Sequence, residues 1–362
     1  MTNLFKALLV FGCALLLISA SAANTPSPAL APPPSHPNED LRAAATRLAT
    51  EIGRGDHKGV TSFQITVEGD MVAGTIAPSL QKSPPDLRSA TKSVTALLVG
   101  IALDRGHIPS LRARIADLLP DLRAKLQSDP RKAAMTIEDL LTMRSGLDCD
   151  DWNTASPGHE DTMYEQRDWL AFWASQPMRD APGTKFSYCT GNVIALGAVI
   201  ARTSGMPVDR FAEKYLFAPL DIRDASWERW NRGSETDSGG HLRLKPADLH
   251  RIGMLVLAHG RWKEEQIVPA SWIEKMTEPQ TDVPGRGQRY GYLWWLDNTK
   301  KPNLPPTRLW MAWGNGGNYL IVMPEIRAIV SFTGTRFNQP GAMEPLVWLR
   351  DRLLPAMKAA QR

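Results

Sequence analysis

Ser89 and Lys92 stand three residues apart in Leu87-Arg88-Ser89-Ala90-Thr91-Lys92-Ser93-Val94-Thr95-Ala96-Leu97-Leu98. Val94, Leu97, Leu98 and Ile101 recur at three- and four-residue steps, which predicts a buried helix. Residues three apart share a helix face, so the hydroxyl and the amine point the same way. Both fall at the helix N-terminus, where the dipole and free N–H groups favour developing negative charge. A hydroxyl beside an amine is a nucleophile with its own base. The plain alternative is a capping serine followed by a surface lysine, and Ser-x-x-Lys alone is a weak signal.

Two later stretches strengthen it. Tyr188-Cys189-Thr190-Gly191-Asn192 precedes a helical pattern, and Gly314-Asn315-Gly316-Gly317-Asn318 lies between two strand-like runs. Glycines in the last stretch let a strand edge approach a substrate without a Cβ in the way.

The elements that must position these residues follow from periodicity. Residues 39–53 read as a helix, 62–77 as a hairpin around Glu68-Gly69-Asp70, and the Ser89 helix ends near Gly106. Thr136 caps a short helix, 148–162 is a polar loop, and 165–175 is helical. Further helices cover 191–203, 207–217, 246–259 and 269–276, while 290–296, 309–313, 318–323 and 328–333 are strand-like. Residues 346–357 close the chain as a helix. Strands at both ends and helices between predict an α+β fold: one mostly antiparallel sheet made from both chain ends, flanked by helices, beside a helical subdomain over roughly 107–260.

Composition agrees with a globular chain: 362 residues, 43% hydrophobic and 22% charged. The net charge of +4 is spread without a basic run, which argues against a nucleic-acid partner. Residues 1–22 resemble a secretory signal, with Lys6, an apolar core and Ala20-Ser21-Ala22 as a cleavage site. Acylation of Cys13 is disfavoured because the apolar stretch runs well past it. Residues 23–40 form a Pro/Ala-rich spacer, leaving 41–362 as the folded domain in a periplasmic or secreted protein with no stable membrane span. Export permits a disulfide between Cys149 and Cys189, with two buried free thiols as the alternative.

Taken in order, Ser89-Ala90-Thr91-Lys92, Tyr188-Cys189-Thr190 and Asn315-Gly316-Gly317 resemble the three motifs of the serine β-lactamase and penicillin-binding-protein-like superfamily. The branch it is most similar to holds class C β-lactamases, DD-peptidases and esterases. Leu140-Leu141-Thr142-Met143-Arg144-Ser145-Gly146-Leu147, Pro182-Gly183-Thr184 and Tyr290-Gly291-Tyr292-Leu293-Trp294-Trp295 agree with it, and it covers roughly residues 41–340. The resemblance implies a β-lactamase/transpeptidase-like fold with the active site between sheet and helical subdomain. It implies Ser89 as nucleophile of an acyl-enzyme, Lys92 as general base and Tyr188 as general acid/base. The backbone N–H groups of Ser89 and Asn318 would hold the oxyanion, and Thr190, Asn315, Gly316 and Gly317 would contact substrate. Lys92 can accept a proton only when neutral, so burial and a nearby positive group are expected to lower its pKa.

Two positions depart from the pattern. Thr190 stands where the peptidase and lactamase branches have Asn, and Asn315 where they have Lys or His. The second change removes a cation that would attract a substrate carboxylate. Both fit an exported hydrolase of esters, amides or D-amino-acid peptides at least as well as a β-lactamase or DD-peptidase proper. A catalytically weak binding protein on the same scaffold is the third reading. The expected partner is a small-molecule or peptidoglycan-peptide-like substrate. No Gly-x-Ser-x-Gly supports a Ser-His-Asp hydrolase. Asp148, Asp150 and Asp151 flank Cys149 without a histidine at ligand spacing, so they read as a capping or solvated loop, and no metal or cofactor is implied. Trp152, Tyr164 and Trp313 are candidates for lining the cleft.

Overall fold

The computed structural model describes residues 40–299 and 302–360. The expected signal peptide, Cys13 and the proline-rich spacer up to residue 39 lie outside the described residues. Helix α1 (Leu41–Arg54) starts where the Asp40 carboxylate accepts from Arg42 N and stops at Gly55, whose φ of 83° suits glycine. Its buried stripe of Leu41, Ala44, Ala45, Leu48 and Ile52 repeats at helical steps.

Eight strands form one sheet: β1 (Val60–Val67), β2 (Asp70–Ile76), β3 (Thr281–Asp282), β4 (Arg289–Tyr290), β5 (Trp295–Asn298), β6 (Arg308–Gly314), β7 (Asn318–Met323) and β8 (Ala328–Gly334). Their order is β2-β1-β8-β7-β6-β5-β4-β3, with every neighbouring pair antiparallel. The sheet therefore joins both chain ends, as expected, through the β1–β8 ladder. Alternation divides its faces. Phe63 stacks on Phe332, which meets Trp348 of the C-terminal helical segment, while Thr66 and Ser331 on the other face bond His250. Arg352 in that segment makes a two-pronged bond to Glu51 of α1, which holds the Glu51 carboxyl down at about 2.

Helix α2 (Thr91–Asp104) lies between the sheet and the helical region, which includes α3 (Trp169–Ser175) and α4 (Thr190–Ser204). All residues of α2 from Thr91 to Ala102 are buried. Helix α5 (Pro246–Leu257) packs on β7 and β8, where a Cβ on Gly253 would lie 2.7 Å from the Leu320 side chain. The region read as one strand over 290–296 is instead two short strands around a fold-back. A Cβ on Gly291 would be 2.1 Å from the Met276 carbonyl oxygen, and Leu293 takes φ 58°. Close approach at Gly291 overrides the β-type composition.

His250 links the two ends of the chain from below the sheet: its ring nitrogens face Thr66 on β1 and Ser331 on β8. Burial pushes its pKa down to about 4. The unfolded chain therefore binds the proton first as pH falls, so this contribution is complete above about 6.5 and is lost down to about 4. The shift corresponds to at most about 3 kcal/mol. Urea midpoints measured between pH 7 and 4 should fall steeply for the native chain and more shallowly for His250→Gln; equal slopes would remove this histidine from the account.

Candidate active site

Ser89 sits in a 3-10 turn, Arg88–Ala90, that leads directly into α2. Arg88 takes φ 50°, a left-handed conformation that costs an L-residue about 1–2 kcal/mol. Asp86 holds it there: its Oδ1 accepts from Arg88 N at 2.8 Å. One helical turn on, Lys92 Nζ donates to Ser89 Oγ at 3.1 Å and to the Gly239 carbonyl at 2.7 Å. The other polar residues at this end of α2 are equally occupied. Thr91 Oγ1 accepts from Leu242 N, Ser93 Oγ donates to the Leu293 carbonyl, and Thr95 Oγ1 donates to the Ser238 carbonyl. These bonds fix residues 238–242 against the helix.

Tyr188 reaches the same hydroxyl from the other wall. Its phenol faces Ser89 closely enough for the hydroxyl to favour its charged form, and Lys92 Nζ lies 5.3 Å from its ring centroid. The segment is clamped twice. Asp151 N donates to the Tyr188 carbonyl at 2.8 Å, and Cys149 and Cys189 form a disulfide with Cα atoms 5.4 Å apart. The structure thus brings Ser89, Lys92 and Tyr188 together and joins the two cysteines.

Lys92 departs from expectation. Burial pulls its pKa down, but Tyr188, which counts only once it has lost its own proton, and Glu160, Asp151 and Asp237 outweigh it, and the net direction is up. The expected lowering therefore does not appear, and the acidic neighbours favour the charged amine. Burial also pushes Tyr188 up against the pull of Lys92 and Ser89, leaving it a neutral phenol. Burial, with Glu160 adding to it, lifts Asp151 well above the usual carboxylate range. Asp151 nevertheless has structural work: its carboxylate accepts from Thr190 N at 2.6 Å and Glu160 N at 3.0 Å, capping α4. This acidic loop therefore caps a helix, one of the two roles expected of it.

Asp237 anchors the Lys92 acceptor. Its Oδ1 accepts from Gly239 N and Gly240 N, and its Oδ2 bonds His241 Nδ1 at 2.7 Å. Arg88 Nη1 donates to His241 Nε2 at 2.8 Å, which ties this network back to the residue before Ser89. Asp151, Glu160, Asp237 and His241 were not singled out as site residues by sequence reasoning. Asp237-Ser238-Gly239-Gly240-His241 was the available signal: small residues in a tight turn between charged ones.

The side chains of two expected site residues, one a substrate contact and one an oxyanion donor through its backbone, turn inward. Thr190 is wholly buried, and its hydroxyl donates to Glu160 Oε2 at 2.7 Å instead of facing the cleft. Asn318 is also wholly buried, in the interior strand β7. Its amide donates to the Asn315 carbonyl, and its Oδ1 accepts from Gly334 N. Asn315 is exposed but paired with Asn338 through both ends of its side-chain amide, and Gly316 and Gly317 form the β6–β7 turn at φ 92° each. The residue pressed on the Ser89 turn is Gly314, where a Cβ would lie 2.0 Å from the Leu87 carbonyl oxygen and 3.1 Å from Ala90 N. The β5 ladder with β6 ends at the Trp295–Met311 pair, so residues 312–314 have no β5 partner on their outer side.

Aromatic rings line the approach. Trp152 stacks on Tyr188 with centroids 5.2 Å apart, Trp295 lies 5.8 Å from Tyr188, and Trp313 lies 5.1 Å from Trp295. Trp152 and Trp313 are half-buried, as a cleft wall would be. Tyr164 packs instead on Trp169 and His241.

A family model described as Beta-lactamase matches residues 48–351. The chain belongs to the Beta-lactamase family. It is 23% identical over 311 residues to the 6-aminohexanoate-dimer hydrolase of Paenarthrobacter ureafaciens, covering 80% of this chain and 76% of that protein. It is 31% identical to esterase EstB of Burkholderia gladioli over 155 residues, 39% of this chain and 38% of EstB. The octameric penicillin-binding protein homologue from Pyrococcus abyssi shares the fold, with TM-score 0.64 and 20% identity over 86% of this chain and 78% of that one. The protein is a serine hydrolase with a β-lactamase/transpeptidase-like fold.

Within this family member, Thr190 holds Glu160 in place. Thr190→Val should lower unfolding free energy by about 1.5–3 kcal/mol, the range for a hydrogen bond to a charged group. Its KM for a small ester should stay within about twofold, since the hydroxyl faces away from the cleft. A large KM rise without loss of stability would return Thr190 to the substrate.

Proposed function

We propose that this protein hydrolyses ester or amide bonds through an acyl-enzyme on Ser89. The observation that carries the reading is the convergence of Lys92 Nζ, at 3.1 Å, and the Tyr188 phenol on one serine hydroxyl. Ser89 Oγ attacks the carbonyl carbon, and its proton passes to the Tyr188–Lys92 pair. The pair then protonates the leaving group. Water repeats the sequence to release the acid.

The oxyanion is assigned to the backbone N–H groups of Ser89 and Asn315 instead of Asn318. Asn315 leaves β6 directly after Gly314, which lies against the Ser89 turn. Preorganised donors of this kind are typically each worth about two to three orders of magnitude in rate.

Several features favour a simple ester or linear amide over a β-lactam. Asn315 replaces the usual cation and is spent on Asn338. The names of the two relatives, a dimer hydrolase and an esterase, point the same way. The Cys149–Cys189 disulfide supports export to an oxidising compartment.

The pair rests as ammonium plus phenol, and both groups are shifted upward. The active fraction is the one that has lost a proton, so activity should rise with pH. For a short-chain nitrophenyl ester, log kcat/KM should climb between about pH 6.5 and 9 without a plateau. Ser89→Ala should lose about three orders of magnitude or more. A chromogenic cephalosporin should be turned over far less well than the ester. Full ester activity in Ser89→Ala would sink the reading, and comparable cephalosporin turnover would make the protein a β-lactamase.

A further inference from the structure

The β3–β4 hairpin carries an arginine whose position the proposed chemistry does not use. Arg286 stands between Gly285 and Gly287, which take φ 72° and 66° with open space around them. Its backbone is held by Arg286 N donating to the Val283 carbonyl. Its guanidinium carbon lies 4.2 Å from the Trp152 ring centroid, 5.7 Å from Trp313 and 5.9 Å from Trp295. These three tryptophans come from separate parts of the chain: the disulfide-clamped loop, the end of β6 and the start of β5. Among the described residues no carboxylate is paired with Arg286.

The layering gives this cation a place relative to the reaction. Trp152 lies face to face with Tyr188, at an interplanar angle of 7°, so Arg286 and Tyr188 share this ring as a neighbour. Trp313 directly precedes Gly314, the residue against the Ser89 turn. The guanidinium is thus gathered with rings from both sides of the cleft, one of which stacks on Tyr188. An arginine stacked on rings keeps its in-plane N–H donors free for an anion. The strand position where a cation would meet a substrate carboxylate is Asn315, which is tied to Asn338.

We propose that Arg286 reads a carboxylate on the substrate, so that the preferred substrates are esters or amides bearing a carboxylate near the scissile carbonyl. The flat tryptophan floor would hold the connecting apolar part, and the guanidinium would take the anion through charge-assisted hydrogen bonds. This rests on the acyl-enzyme reading above.

Three esters matched in size test it: 4-nitrophenyl butyrate, mono-4-nitrophenyl glutarate with the carboxylate on the acyl side, and 4-(butanoyloxy)benzoate with it on the leaving group. The ratio of kcat/KM for at least one carboxylate ester to that for the neutral ester should drop roughly tenfold in Arg286→Gln, since a charge-assisted bond is lost. Arg286→Lys should recover part of it, and added salt should lower it in the native chain. Which ester responds tells which side of the scissile bond faces the hairpin. An unchanged ratio for both carboxylate esters overturns the proposal. Binding supplies a second test that does not depend on turnover. Glutarate or benzoate titrated into Ser89→Ala should change the tryptophan emission, and Ser89→Ala with Arg286→Gln should bind at least roughly tenfold more weakly. Loss of all ester turnover with this binding difference intact would refute the hydrolase reading alone; equal binding by both variants would refute the role of Arg286.

Discussion

A charged ammonium lies inside the protein, and the cleft is arranged around it. Lys92 is almost fully buried, and an unpaired ion there would be costly. It is accommodated by the Gly239 carbonyl, the Ser89 hydroxyl and the negative field of Glu160 and Asp237. Each partner needs its own support. Gly239 is set by Asp237, Asp237 by its bonds to two backbone N–H groups and His241, and His241 is bonded to Arg88 beside Ser89. The ring of contacts closes on itself, so the position of Ser89 is determined from both sides of the lysine.

The second wall is organised by a different device. Tyr188 is buried, and the chain around it is secured by the disulfide, by the Asp151 backbone N–H and by the start of α4. The same loop presents Trp152 on the ring of Tyr188. The Tyr188 phenol and the aromatic ring stacked on it are therefore positioned by one piece of covalent and hydrogen-bonded structure. The third wall, β6, contributes backbone. Its end can lie on the Ser89 turn only because residue 314 lacks a side chain.

Much of this is legible in order along the chain. Helix α2 follows from apolar periodicity, the β1–β2 hairpin from β-branched residues around Glu68-Gly69-Asp70, Ser89 and Lys92 from residue type and spacing, and Tyr188 from the family resemblance. The rest depends on closures that periodicity does not encode. Gly291 breaks a strand-like run because Met276 lies against it. Thr190 turns inward because Glu160, thirty residues earlier in sequence, reaches its hydroxyl. Asn315-Gly316-Gly317 reads as a motif leading to Asn318, but contact with the Ser89 turn falls at Gly314. A neutral Lys92 is the natural expectation from sequence because its carboxylate neighbours come from distant loops, and only the folded chain gathers them.

The sheet has one further consequence. Ser62 on β1 bonds Thr333 on β8, a sequence separation of 271 residues, and β8 lies between β1 and β7. Such high contact order places the closing step late in folding. A ribosome releases β1 long before β8, so the β1–β2 hairpin must wait with an open edge until β8 follows. The β6 edge that completes the cleft emerges just ahead of β8. The surroundings of Ser89 are therefore complete only once β8, the strand that joins β1 to the rest of the sheet, is free to pair.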